Sequence, residues 1–121
     1  MAPKKKILIV DDEPDMVAGL QAFLEDNGYE TCCAYDGKQG MKVLEKEKPA
    51  LITLDLKMPQ DTGTRFYRNL SKNKEFKDVP VIIISGLAGR HLAAPHPFAV
   101  FDKPIDKENL LAKIKAALGD Q

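Results

Sequence analysis

Short unbroken apolar runs alternate along this chain with segments whose apolar residues recur every three or four positions. Ile7 to Val10 is the first run, rich in branched residues and ending abruptly in acid. It predicts a strand buried on both faces. Pro14 stands just inside the next segment, where a helix tolerates it. Met16, Val17, Leu20, Phe23 and Leu24 then follow at helical spacing until Asn27-Gly28 closes the helix. Tyr29 to Ala34 reads as a second strand, with Asp36-Gly37 as a turn. Met41, Val43 and Leu44 mark a short helix finished before Pro49. Ala50 to Leu54 is a third strand ending in Asp55, and a loop from Lys57 to Gly63 leads to a helix carrying Phe66, Tyr67 and Leu70. Val79 to Ile84 is the most apolar strand, Phe98 to Phe101 is a fifth, and Asp106 caps a last helix with Leu110, Leu111, Ile114 and Leu118 on one side.

Strands alternating with helices predict an α/β fold, a doubly wound parallel sheet with helices on both faces. In such sheets ligands bind beyond the carboxyl ends of the strands, at a topological switch point. With 121 residues, one domain spanning 1–121 is the expectation, large enough to bury a core without disulfides. Eighteen basic residues balance eighteen acidic ones, so no global field draws the chain to nucleic acid or anionic lipid. The apolar run behind the basic start ends at Val10, too short for a signal peptide or membrane span. Cys32 and Cys33 are adjacent, so on a strand they point to opposite faces and read as free thiols of a reducing, cytoplasmic compartment.

The strand ends carry Asp11 and Asp12, then Asp55, then Ser85, then Lys103. In a parallel sheet all five share one edge. Singly, each has an ordinary structural use: an acid at a strand end caps a turn, Ser85-Gly86 is a turn signal, and Lys103-Pro104 is a solvated lysine before a loop. Together they predict chemistry. Three neighbouring carboxylates repel unless neutralised. Mg²⁺ suits a few carboxylates with water and phosphate oxygens. A lysine and a hydroxyl suit a phosphoryl group. Asp55, between the acid pair and the Ser/Lys side, is the candidate nucleophile for an acyl phosphate.

These residues resemble, across essentially the whole chain, the CheY-like receiver domains of two-component response regulators. The carriers are Ile-Leu-Ile-Val-Asp11-Asp12-Glu13, Leu-Ile-Thr-Leu-Asp55-Leu-Lys-Met58-Pro59 with Gly63 further on, Ser85, and Lys103-Pro104. The resemblance implies a flavodoxin-like five-stranded sheet of order 2-1-3-4-5 flanked by about five helices. It implies Asp55 as phosphoacceptor and Ser85 bonding the phosphoryl oxygen. Lys103 pairs with the phosphoryl group, and Pro104 follows a cis bond. Mg²⁺ is held by Asp12, Asp55 and the Lys57 backbone carbonyl, with Asp11 acting through water. The donor is a sensor histidine kinase or phosphotransfer protein, and the recipient of the signal an output domain or downstream protein. Direct nucleic-acid binding and membrane association are not expected of this domain.

Two departures from the pattern stand out. Ser85 to Lys103 is shorter than usual by about a turn of helix and holds Pro95 and Pro97, so the helix before the fifth strand is expected to be short or irregular. Three residues before Lys103 stands Val100 where the family often has an aromatic, with Phe98 and Phe101 flanking it, so an altered switch is expected. Lys57 and Leu87, each two positions past a site residue, are expected to hinder water and prolong the aspartyl phosphate. Competing readings are a Mg²⁺-dependent phosphatase, which wants an acid where Lys57 stands, a flavin-binding module, which wants a phosphate loop where Asp-Asp-Glu-Pro stands, and a receiver-like interaction module that is never phosphorylated.

Overall fold

A computed structural model describes residues 4–56, 58, 62–85 and 97–120, with backbone only for Thr62 and Ser85. Its elements are β1 (Lys6–Val10), α1 (Pro14–Asp26), β2 (Glu30–Ala34), α2 (Gly37–Glu47), β3 (Leu51–Asp55), α3 (Thr62–Ser71), β4 (Val81–Ser85), β5 (Ala99–Asp102) and α4 (Lys107–Leu118). The five strands pair in parallel in the order β2-β1-β3-β4-β5, as expected.

Alternation along each strand divides the core into two layers. Leu8, Val10, Ile52, Leu54, Val81 and Ile83 pack under α2 and α3, against Leu44, Phe66, Tyr67 and Leu70. Ile7, Ile9, Leu51, Ile82 and Ile84 pack on the other side, against Val17, Leu20 and Leu24 of α1 and Leu110, Leu111 and Ile114 of α4. The distribution follows from handedness. The chain steps one way from β1 to β2 and the opposite way through β3 and β4. Right-handed crossovers therefore place α1 on one face and α2 and α3 on the other. The reversal lies between β1 and β3, where Asp11 directly follows β1 and Asp55 ends β3.

Several boundaries differ from the expected ones for local reasons. Asp36-Gly37 is the start of a helix, not a free turn: Asp36 is the N-cap, and its side chain accepts from the Gln39 amide at 2.8 Å. Gly63 lies in the first turn of α3 rather than in the loop before it. Only glycine fits there, because a Cβ would collide with the Asp55 and Leu56 carbonyl oxygens. Gly28, at φ +92°, ends α1 as the Asn27-Gly28 pair predicts. Asp106 caps α4 through the Glu108 and Asn109 amides. Four helices lie among the described residues; the short or irregular helix expected between β4 and β5 falls on residues outside them. Cys32 and Cys33 are free and pack toward opposite layers.

Candidate functional site

β1 and β3 are adjacent and in register, so their carboxyl ends deliver Asp11 and Asp55 side by side. Both are nearly fully buried, at 4% and 3% exposure. The Asp11 amide donates to the Ala34 carbonyl at 3.1 Å, which extends the pairing of β1 with β2 one residue past the strand. One Asp11 carboxylate oxygen accepts from the Glu13 amide at 3.0 Å and so turns the chain toward α1. Asp12 is half-buried and Glu13 exposed. One carboxylate oxygen from each of Asp11, Asp12, Glu13 and Asp55 lies within 4.8 Å of the others.

Lys103 enters this cluster from the segment after β5. Its Nζ lies 2.8 Å from Glu13 Oε1, 3.1 Å from Asp55 Oδ2 and 3.3 Å from Asp11 Oδ2. The bond from Lys103 to Pro104 is cis. Burial works against the lysine's charge, but the Glu13 hydrogen bond and the Asp11 and Asp55 charges outweigh it and hold the ammonium well above its ordinary range. Burial raises Asp11, and the neighbouring Asp55 charge adds to the rise, against the pull of the Glu13 amide and Lys103. The Lys103 hydrogen bond lowers Glu13. One ammonium among four carboxylates leaves the cluster anionic, and that excess in a partly dry cleft is what a hard divalent cation neutralises.

The structure thus gathers Asp11, Asp12, Asp55 and Lys103 at one edge. Ser85 ends β4 at that edge, in register with Asp102 of β5, and its side chain is not described. Lys57 and Leu87 fall outside the described residues. Phe101 packs into the layer of α1 and α4, while Val100 is 41% exposed and Phe98 46%. Glu13 is the site residue that sequence reasoning left without a role. Its only signal was a third acid directly after the Asp pair.

A sequence model of the family described as "Response regulator receiver domain" matches residues 7–115. The chain is similar to protein Rrf1 of Nitratidesulfovibrio vulgaris, with 33% identity over 113 residues that cover 93% of this chain and 82% of the relative. Among solved structures it resembles a CheY-like response regulator receiver domain protein from Methanospirillum hungatei, at 29% identity and a TM-score of 0.83, covering 96% of this chain and 94% of the other. It shares the fold of the receiver domain of sensor histidine kinase PA1611 from Pseudomonas aeruginosa, at 22% identity and a TM-score of 0.86, covering 97% and 99%. That structure is described with a magnesium ion coordinated in its active-site cleft.

Proposed function

This chain belongs to the response-regulator receiver family, a family of signalling domains rather than of conventional enzymes, and on that premise we propose that it is a phosphoryl-accepting switch of a two-component pathway with Asp55 as acceptor. The observation that carries the reading is the contact of Lys103 with both Asp55 and Asp11 inside a cluster of four carboxylates. A phosphatase of this kind wants a second acid two residues after the nucleophile, where Lys57 stands, and a flavin module wants a phosphate loop where Asp11-Asp12-Glu13-Pro14 stands. Residues 1–121 are read as one receiver domain. Among the described residues no helix is long and apolar enough to cross a membrane, and a cytoplasmic location fits the reading.

The acid cluster suits Mg²⁺, with Asp12 and Asp55 as direct ligands, Asp11 acting through water, and the Lys57 carbonyl, outside the described residues, completing the set. When bound, the ion supplies positive charge that offsets the anionic oxygens of acceptor and donor. An Asp55 carboxylate oxygen forms a bond to phosphorus while the P–N bond of a phosphohistidine breaks, and the imidazole leaves with the bonding pair. The fixed strand ends orient the carboxylate, so little reorganisation is needed at the moment of transfer. Lys103 meets the charge that arrives, and Ser85, at the end of the neighbouring strand, supplies a hydroxyl to the phosphoryl oxygen. The donor is a sensor histidine kinase or a phosphotransfer protein, and the changed charge is passed on to an output domain or downstream protein.

Intact-mass measurement after incubation with acetyl phosphate tests the reading. The expected result is a Mg²⁺-dependent gain of one phosphoryl group, absent in Asp55→Asn. No gain with acetyl phosphate or with a panel of phosphorylated kinases would favour the docking-only alternative.

A further inference from the structure

The reading of Asp55 as acceptor needs Lys103 free to meet an incoming phosphoryl group, yet the shortest contact of its ammonium is elsewhere, 2.8 Å from Glu13 Oε1. Glu13 is not part of the buried pair. Its side chain is 62% exposed, against 6% for Asp11 and 3% for Asp55, and it precedes the first turn of α1. The Lys103 side chain is 21% exposed, so the ammonium sits at the rim of the cleft with carboxylates inward and one outward. The inward contacts, at 3.1 and 3.3 Å, are the longer ones.

We propose that Glu13 is a positioning residue that holds Lys103 at the rim of the site in the resting state and competes with the phosphoryl group for it. The inference rests on the function proposed for Asp55. Its physical basis is a shared cation. The ammonium has three donors, and here it divides them among Asp11, Glu13 and Asp55. A phosphoryl group on Asp55 brings a strong anion to the inner side, and the outer contact then competes with it for the same cation. The strength of that outer contact therefore enters every equilibrium in which Lys103 engages a phosphoryl group or its analogue. Because the Glu13 side chain is mostly exposed and, among the described residues, meets the site through the Lys103 contact alone, the effect is modest and salt-sensitive. Glu13 is also near enough to the other acids to be a metal ligand, and the two roles predict different measurements.

The test compares wild type, Glu13→Gln and Asp15→Asn. Asp15 is an exposed acid in the first turn of α1 that makes no ion pair among the described residues, so its variant removes a charge without releasing Lys103. Beryllofluoride in the presence of Mg²⁺ serves as the phosphoryl analogue, and Mg²⁺ affinity is measured alone. Glu13→Gln should lower the beryllofluoride midpoint about two- to fivefold, the range for a half-exposed ion pair. Mg²⁺ affinity should stay within twofold of wild type, and the gain should shrink at high salt. An equal shift in Asp15→Asn would reduce the effect to net charge and overturn the proposal. So would a marked loss of Mg²⁺ affinity in Glu13→Gln, which would make Glu13 a ligand, or an unchanged or raised midpoint. A wild type that binds Mg²⁺ but neither takes phosphoryl from any donor nor binds beryllofluoride would overturn the functional reading itself, and that result is read before the variants.

Discussion

Strand β3 is buried at every position from Leu51 to Asp55, whereas β5 alternates half-buried and exposed positions from Ala99 to Asp102. The first lies in the middle of the sheet between β1 and β4; the second is an edge strand. The candidate site is split between them. Its anionic half, Asp11 and Asp55, hangs from the most constrained backbone in the molecule. Its cationic half, Lys103, follows the least enclosed strand. Full burial on both faces leaves a side chain almost no room to shift, because interiors are close-packed. An edge strand with one open face has room to move. The contrast assigns rigidity to the proposed acceptor Asp55 and its acid neighbour, and adjustability to Lys103. It also places the departures from the family pattern, Val100 and the flanking phenylalanines, on the adjustable side.

The sharpest way to break this comparison is to truncate one side chain on each of the two strands. Ile52→Ala removes a fully buried side chain beneath α2 and α3 and should cost about 2–5 kcal/mol in urea unfolding. Val100→Ala, on a residue that is 41% exposed, should stay within about 0.5 kcal/mol of wild type. Equal costs would mean that β5 carries as much of the fold as β3.

Cation binding should follow the rigid half. Mg²⁺ at a hundred times its dissociation constant should stabilise the chain by about 3 kcal/mol, since a ligand that binds only the folded state adds that much by mass action. Asp12→Asn should remove most of the gain, seen as the loss of the Mg²⁺-dependent rise in Tm. A gain that survives the substitution would place the ion away from the clustered strand ends.

How far the sequence reached follows the same division. The strands β1, β3 and β4 were legible because burial on both faces writes itself as a continuous apolar run, and three such runs lay in order. β5 was displaced by one residue, Phe98–Phe101 against the observed Ala99–Asp102, since an edge strand with alternating exposure leaves a weaker trace. The Asp pair and Asp55 were legible because each directly ends a run. The Glu13–Lys103 contact was not, because it joins positions ninety residues apart and no local pattern records it. Phe76 was missed as well: it is buried from the irregular segment before β4, where no periodicity marks an inward position.

A smaller test concerns the opposite edge of the sheet. On β2, burial, with Glu47 adding to it, pushes the Cys32 thiol up to about 11. Only the thiolate reacts, so iodoacetamide at pH 8 should label Cys32 about a hundredfold more slowly than an unperturbed thiol. The folded thiol keeps its proton above the unfolded value. The associated stability is therefore complete below about pH 8.5 and declines as pH rises toward 11. Rapid labelling in the folded protein would show that even a covered edge strand opens readily.

The smallest effect is expected farthest from the site, where the chain's last helix is tied to its first strand. Lys5 Nζ donates to Asp120 Oδ1 at 2.7 Å and to the Leu118 carbonyl at 2.7 Å, and the Tyr29 hydroxyl donates to Asp120 Oδ2 at 2.9 Å. These donors, Lys5 first, hold the Asp120 carboxyl below its ordinary value. A carboxyl whose folded pKa is depressed contributes stability that is present above the unfolded value, about 3.9, and is lost as pH falls through the folded one. Asp120→Asn should therefore be slightly less stable than wild type at pH 7, and the difference should close at pH values below the folded pKa. The pair is exposed and screened, so the difference should also narrow in high salt. A difference that persists in acid would mean that Asp120 acts through hydrogen-bond geometry alone, and that the C-terminal helix is held to β1 as firmly as the buried strands are held to one another.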